Sequence, residues 1–145
     1  MITLAVLLGL PLAPANSAEP PPHVNASPDA RAEVDFPQSI KLAMLERMRR
    51  NLHDIQRIQE ALGKKDYALA AEVAEFSLGL SSLGPHNARQ APYMPPPMQH
   101  LGMEMHKASS RVAVAAQEGD VHLAIDKLSE VTALCVGCHA TYRAK

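Results

Sequence analysis

Apolar residues recur at steps of three or four along most of the chain after residue 38, which is the spacing of one face of an α-helix. The first such segment predicts a helix from Ser39, which can cap it, to about Leu62, and Gly63 ends it. Its inward stripe is predicted to be Leu45, Met48, Leu52, Ile55, Ile58 and Leu62. A second helix is predicted from Asp66 to Ser82, antiparallel to the first because the connection is short. Its predicted inward residues are Leu69, Val73, Phe76 and Leu80.

Two more helices are predicted in the C-terminal half, after a proline-rich loop over 84–97. The third runs from Pro96 to Glu118, and its predicted buried residues are Met98, Leu101, Met105, Ala108, Val112 and Ala115. Asp120 can cap the fourth, whose predicted stripe is Ile125, Leu128, Val131, Cys135, Cys138 and Tyr142. We find no convincing strand pattern. The chain is therefore predicted to be all-α, with a four-helix bundle over residues 38–145.

The N-terminal part of the chain has a different composition. Residues 2–12 are almost wholly apolar and 13–18 are mostly small, so residues 1–18 predict a signal peptide, although no Lys or Arg precedes the apolar run. The run is too short, and too interrupted by Pro11 and Pro14, to span a bilayer. Residues 19–37 are rich in proline and polar side chains and predict a disordered tether. We therefore expect export to the periplasm.

The overall composition narrows the possible functions. The 145 residues carry a net charge of −1, which gives no electrostatic basis for binding nucleic acid. With no Trp and only two Phe, the apolar interior depends on aliphatic residues and Met, and a buried porphyrin would supply flat aromatic surface. We find no Ser-His-Asp triad, carboxylate pair or phosphate-binding loop, and we expect no enzyme activity.

The most informative motif is Cys135-Val136-Gly137-Cys138-His139, which contains both cysteines of the chain. Covalent attachment of a c-type haem requires two thiols, each adding to one vinyl group, and an imidazole that can reach the iron. Positions i, i+3 and i+4 share one face of a helix, so Cys135, Cys138 and His139 point the same way. The motif therefore predicts one covalent haem c per chain, with His139 as an axial iron ligand.

Three other interpretations of the motif stay open. A disulfide between Cys135 and Cys138 would close a very small loop and stabilise the fold little. A redox-active Cys-x-x-Cys pair usually begins a helix after a strand. A zinc site would need a second pair of ligands. Haem is preferred because export agrees with the attachment of c-type haem outside the bacterial cytoplasm.

A four-helix pattern with Cys-x-x-Cys-His on the last helix, followed here by Ala140-Thr141-Tyr142-Arg143, resembles the cytochrome c′ family, the class II cytochromes c. Class I cytochromes carry this motif near the N-terminus. The resemblance covers the architecture from about Phe36 to Lys145, and residue identity only around the motif. It implies that both cysteines hold haem, that His139 binds iron and that Arg143 lies beside the imidazole. Arg143 is equally compatible with an ordinary cation near a helix C-terminus.

The resemblance makes the sixth iron position decisive for function. In this family a methionine on the first helix gives six-coordinate, low-spin iron suited to electron transfer, whereas a bulky apolar residue leaves the iron five-coordinate. Met44 and Met48 lie one turn apart on the predicted first helix, and Met48, on the inward stripe, is the preferred ligand. Core packing alone would also explain Met48. Met94 and Met98, in and beside the long loop, are further candidates.

Other polar residues are also relevant to a haem. His53, His100 and His106, predicted on polar helix faces, are further candidate iron ligands. The segment 100–106 resembles a copper site only superficially, because its two histidines point apart on a helix. A basic cluster can pair with haem propionates or form a solvated helix face, and its members are Arg47, Arg49 and Arg50.

The sequence thus predicts a periplasmic, non-enzymatic electron carrier that exchanges electrons with a redox partner protein through a haem ligated by His139 and Met48. A homodimer is compatible with the family, whose bundles often pair through their first two helices. One alternative is a five-coordinate haem protein that binds nitric oxide or carbon monoxide. Another is a haem peroxidase with His53 as the distal acid-base group.

Overall fold

The computed structural model describes residues 29–145, so the predicted signal peptide and the first part of the predicted tether lie outside it. The helices are α1 (Gln38–Gly63), α2 (Tyr67–Val73), α3 (Pro85–Gln90), α4 (Pro96–Gln117) and α5 (Val121–Thr141). Two short strands, β1 (Ala32–Val34) and β2 (Tyr142–Ala144), pair in parallel. The fold is mainly helical, which confirms the predicted all-α class. Within 29–145 we find no helix that combines the length and hydropathy needed to cross a bilayer.

Aspartate caps set the starts of two helices, α2 and α5. Asp66 accepts a hydrogen bond from the Leu69 amide at 3.1 Å, and Asp120 accepts one from the Leu123 amide at 2.9 Å, so both are N-caps. The predicted cap at Ser39 is wrong. Helix α1 begins at Gln38, directly after Pro37, whose extended backbone ends the preceding segment and whose carbonyl accepts the first helical hydrogen bond.

The second predicted helix changes type part-way along. Helix α2 continues as a π-helix over Ala74–Leu78, in which hydrogen bonds join residues five apart and one extra residue enters the turn. This extra residue shifts the inward face, so Leu78 is 1% exposed whereas Phe76 is 68% exposed. The predicted inward positions of Phe76 and Leu80 are therefore wrong.

The long segment predicted as a loop contains helical structure. Helix α3 begins at Pro85 and a 3₁₀ turn covers Ala91–Tyr93, whereas α4 begins at Pro96. Proline is tolerated at the first helical position because the amide there needs no helical partner. The prolines that were expected to exclude helix therefore begin it. Gln99 ties the segment to α4 by donating to the carbonyls of Ala91 and Met94, at 2.9 and 2.8 Å.

Small residues bring the helices of the main core close together. Alanines supply much of this buried core, and its largest fully buried apolar side chains are Ile58, Leu78, Val112 and Val131. Helix α4 packs extensively along α5, and α2 packs on both α1 and α4. Helix α1 approaches α5 far less closely than it approaches α2. Among residues 29–145, no helix therefore covers one long flank of α1.

The described part of the predicted tether is ordered rather than disordered. Strand β1 pairs with β2 in a register that aligns Ala32 with Tyr142, and Val34 and Phe36 are buried. They join a smaller apolar cluster that contains Met44 and Met98. Tyr142 was predicted to continue the stripe of the last helix, which is wrong because α5 ends at Thr141 and Tyr142 is extended.

The π-helix can be tested by a pair of substitutions. Leu78→Ala should lower the free energy of unfolding by about 2–5 kcal/mol, because it leaves a cavity in a closely packed core. Phe76→Ala should change it by less than about 0.5 kcal/mol, because this side chain lies mainly in solvent. Urea unfolding followed by circular dichroism measures both. A larger loss of unfolding free energy in Phe76→Ala than in Leu78→Ala would contradict the observation that Leu78, and not Phe76, faces the core.

Candidate haem-attachment site

Both cysteines lie on the last third of α5, where the two apolar clusters meet. Cys135 packs against the main core, and Cys138 packs against the smaller cluster of Val34, Phe36, Met44 and Met98. Each is half-buried, and each is a free thiol. Because Cys135 and Cys138 are three residues apart on one helix, their thiols lie on the same, partly buried side of α5.

The surroundings of the thiols keep them protonated. Burial raises the pKa of both thiols, and the pKa of Cys135 is raised further by the charge of Cys138. Reactive disulfide-exchange cysteines have lowered pKa values and lie near helix N-termini. Cys135 and Cys138 lie far from the start of α5, so their environment disfavours the redox-active interpretation.

His139 follows directly on the exposed side of the same helix. Its backbone carbonyl accepts a hydrogen bond from Arg31 Nη1 at 3.2 Å. Arg143 lies beyond the end of α5, on β2, where its guanidinium pairs with Glu33. Its Nε lies 3.6 Å from Asp29 Oδ2 and is buried without a hydrogen-bond partner in the described chain. The structure therefore places Arg143 on the strand pairing that follows the motif.

A cleft of about 300 Å³ separates the C-terminal part of α1 from the start of α5. It is lined by Gln59, Leu62 and Gly63 of α1 and by Val121, Ile125 and Leu128 of α5. Met48 and Leu52 precede Gln59 by about three and two helical turns, so they lie on the same side of α1. His139 follows Ile125 by about four turns on the same side of α5. Met48 and His139 therefore lie on the sides of α1 and α5 that line this cleft further along each helix.

The two side chains also lie at similar heights along the helices. The end of α1 meets the start of α5 at the cleft, and Met44 shares the smaller cluster with Cys138, so α1 and α5 are antiparallel. His139 is about 21 Å along α5 from Ile125, and Met48 is about 16 Å along α1 from Gln59, at 1.5 Å per residue. Met48 is thus within about one turn of the height of His139.

The two methionines of α1 differ in their surroundings. Met44 is buried, whereas Met48 is 37% exposed and Leu52 is 70% exposed. The predicted inward stripe of α1 is therefore wrong at Met48 and Leu52. The reason is tertiary: α1 packs on α2 and α3, so its buried face is turned away from the flank that carries Met48.

The apolar flank of α1 has a counterpart on α5. Ile125 and Val136 are 53% and 67% exposed, on the side of α5 that also carries His139. A flat apolar group between α1 and α5 would cover these side chains together with Met48 and Leu52. Two neutral thiols, an exposed imidazole on the same helix and exposed apolar side chains on α1 and α5 form a residue set that fits a covalent haem.

The remaining histidines have different positions. His53 is exposed and lies nine residues after buried Met44, on the opposite side of α1. His100 is exposed, but His106, predicted on a polar face, is buried. His106 Nδ1 donates to the carbonyl of Leu78 at 2.6 Å, and Ser82 Oγ lies 3.4 Å away. The predicted position of His106 on a polar face is wrong, because its ring turns inward to donate to this carbonyl at the end of the π-helix.

The structure separates the three arginines of the basic cluster. Arg47 is half-buried on the side of α1 near α3 and α4, where burial lowers its pKa. Arg50 pairs with Glu46 at 2.5 Å and is exposed, as is Arg49. Arg47 therefore faces away from the gap between α1 and α5.

No group of three His, Cys, Asp or Glu side chains in the described part of the chain is arranged to hold a bare metal ion. Comparison with protein-family models, curated proteins and solved structures found no match. The residues of α1 and α5 are therefore the features of this chain that indicate a function.

Buried His106 and half-buried His86 should make the stability of this protein sensitive to mild acid. Burial, opposed by hydrogen bonds to backbone carbonyls, lowers the pKa of His106, and Arg47 lowers it further. Burial and Arg47 likewise lower the pKa of His86. The unfolded chain therefore takes up protons below about pH 6.5 that the folded chain resists, so stability is full above this pH and falls as the pH drops.

Urea unfolding between pH 7.5 and 5.5 measures this effect. In His106→Gln the free energy of unfolding should fall less steeply as the pH drops, because the substitution removes one of the two groups responsible for the fall. His100→Gln, at an exposed position, controls for the loss of a histidine and should keep the slope. An unchanged slope in His106→Gln would show that the buried imidazole does not carry the pH dependence.

Proposed function

We propose that this protein is an exported electron carrier with one haem c, attached through Cys135 and Cys138, with His139 and Met48 as the axial iron ligands. The observation that carries the proposal is that two half-buried thiols and an exposed imidazole lie together on the last third of α5, beside exposed apolar side chains. His139 of α5 and Met48 of α1 are exposed side chains of the two kinds that bind haem iron.

A bound haem would supply reversible one-electron transfer between ferric and ferrous iron. The protein chain would hold the haem in place and shield one of its edges from water. Cys135 and Cys138 anchor two points on one edge, and their burial keeps this edge away from water. His139 extends from the same helix, so thiols and imidazole move as one rigid unit.

The apolar flanks explain how the gap would favour the cofactor. Leu52, Ile125 and Val136 are largely exposed in the protein chain alone. Covering them would contribute about 25 cal/mol for each Å² of apolar surface removed from water. This hydrophobic free energy would strengthen the contact between α1 and α5, which approach each other less closely than the other neighbouring helices do.

Met48 suits the role of sixth ligand better than Met44. A thioether favours ferrous iron and raises the reduction potential. Met44 is already packed against Met98 in the smaller cluster, whereas Met48 lies on the flank that faces α5. Two ligands on preformed helices would require little rearrangement when an electron arrives or leaves.

The same arrangement supports a four-helix bundle made of α1, α2 with its π-helix, α4 and α5, with the cofactor between the first and the last. This architecture and the C-terminal motif resemble the cytochrome c′ family. The apolar N-terminal run supports export to the periplasm, where a redox partner protein would exchange electrons with the carrier. His53 points to the side of α1 opposite Met44, which disfavours a peroxidase that uses this histidine.

Covalent attachment can be measured directly. The full chain, exported in cells that contain the c-type haem maturation machinery, should gain the mass of one haem and keep it after denaturation. Cys135→Ala and Cys138→Ala should each remove one of the two thioether bonds and reduce the yield of adduct, and the double variant should abolish it. An unaltered chain that carries no adduct under these conditions would refute the proposal.

The sixth ligand can be identified from optical spectra. Met48→Ala should convert low-spin ferric haem to high-spin and remove the weak far-red band of a thioether–iron bond. Met44→Ala is the matched control, one turn away, and should keep both signals. Loss of the band in Met44→Ala but not in Met48→Ala would transfer the role to Met44. A high-spin spectrum in the unaltered protein would instead favour the five-coordinate, gas-binding alternative.

A further inference from the structure

Residues 29–36 form an N-terminal clasp over the end of α5. Its strand β1 pairs with β2, directly after the last turn of that helix. Val34 and Phe36 are buried in the apolar cluster against which Cys138 packs. The clasp therefore contacts the segment after the motif through its backbone and the motif itself through its side chains.

The polar contact of the clasp is with His139. Arg31 Nη1 donates to the carbonyl of His139 at 3.2 Å, in the last turn of α5, where carbonyls lack helical partners. A cation at this end also suits the helix dipole. Asp29 orients the guanidinium through contacts of 2.9 Å with Nε and 2.6 Å with Nη2. These hydrogen bonds hold the pKa of Asp29 far below its usual value, so the pair stays charged in mild acid.

A second ion pair joins the clasp to the chain after the motif. Glu33 of β1 pairs with Arg143 of β2, and Asp29 lies near the same guanidinium. The clasp thus holds the backbone on both sides of the last turn of α5, at His139 and at Arg143. Rotation or fraying of that turn would have to break these contacts.

We infer that the clasp positions the iron ligand: Arg31 is a positioning residue that fixes the last turn of α5, and with it the direction of the His139 imidazole. This inference rests on the proposed function, because it assigns a role toward the haem. Arg31 touches only the backbone of His139, so it acts through the ligand rather than on the iron.

The test compares Arg31→Ala, Arg31→Lys and Arg57→Ala in the full holoprotein. Arg57 is the control, a half-exposed arginine that pairs with Asp54 within its own helix. Arg31→Ala should raise hydrogen exchange of the amides of 139–144 by about tenfold, the effect of losing one charge-assisted hydrogen bond. It should also shift the electron paramagnetic resonance signals of the ferric haem, because the imidazole plane is less fixed. Arg31→Lys should change hydrogen exchange and the resonance signals less than Arg31→Ala does, and Arg57→Ala should change neither.

The two readouts separate the possible results. Faster exchange with unchanged resonance signals would overturn the inference, because Arg31 would then support the fold without orienting the ligand. Unchanged exchange in Arg31→Ala would overturn it as well. Mass measurement of the unaltered chain decides the proposed function separately: without an adduct that proposal fails, and hydrogen exchange still decides whether Arg31 fixes the end of α5.

Discussion

Three hydrogen bonds, two between α4 and the π-helix and one between α4 and Leu80 just beyond it, hold the arrangement on which the candidate site depends. Ser109 Oγ donates to the carbonyl of Ala74, His106 Nδ1 donates to that of Leu78, and Ser110 Oγ accepts from the Leu80 amide. Buried backbone groups left without partners are costly, so these bonds fix where α2 ends and how it lies on α4. The alanines of the core then allow close packing. With α4 packed against α2 and α5, α1 contacts mainly α2, and its flank toward α5 stays uncovered.

The uncovered flank gives the methionines of α1 different environments. Met44 belongs to the cluster that the clasp completes, so it contributes to packing near Cys138. Met48, one turn later, lies on the same exposed side of α1 as Leu52. A small rotation of a helix thus decides which of two similar side chains is available to a ligand. This rotation is set by the neighbours of α1 and not by α1 itself.

Local signals were sufficient for much of the fold. The bounds of α1, α4 and α5 agree with the sequence prediction within about two residues, because periodicity and caps such as Asp120 are local. The π-helix could not be predicted, since its extra residue depends on contacts with α4. The pairing of β1 with β2 joins opposite ends of the chain and leaves no periodic signal. The Cys-x-x-Cys-His motif is visible in the sequence because its residues are adjacent, whereas the side on which Met48 lies depends on tertiary packing.

The proposed ligands are held by independent parts of the structure. His139 belongs to α5, whose end is fixed by the clasp, whereas Met48 belongs to α1, which is anchored by α2. Met44 and Cys138 share one apolar cluster, so α1 and α5 meet near the motif, whereas the cleft separates the end of α1 from the start of α5. Side chains in a packed interior must match each other closely. A rigid planar cofactor of the proposed kind would therefore have to fit between two helices whose positions are set by different neighbours.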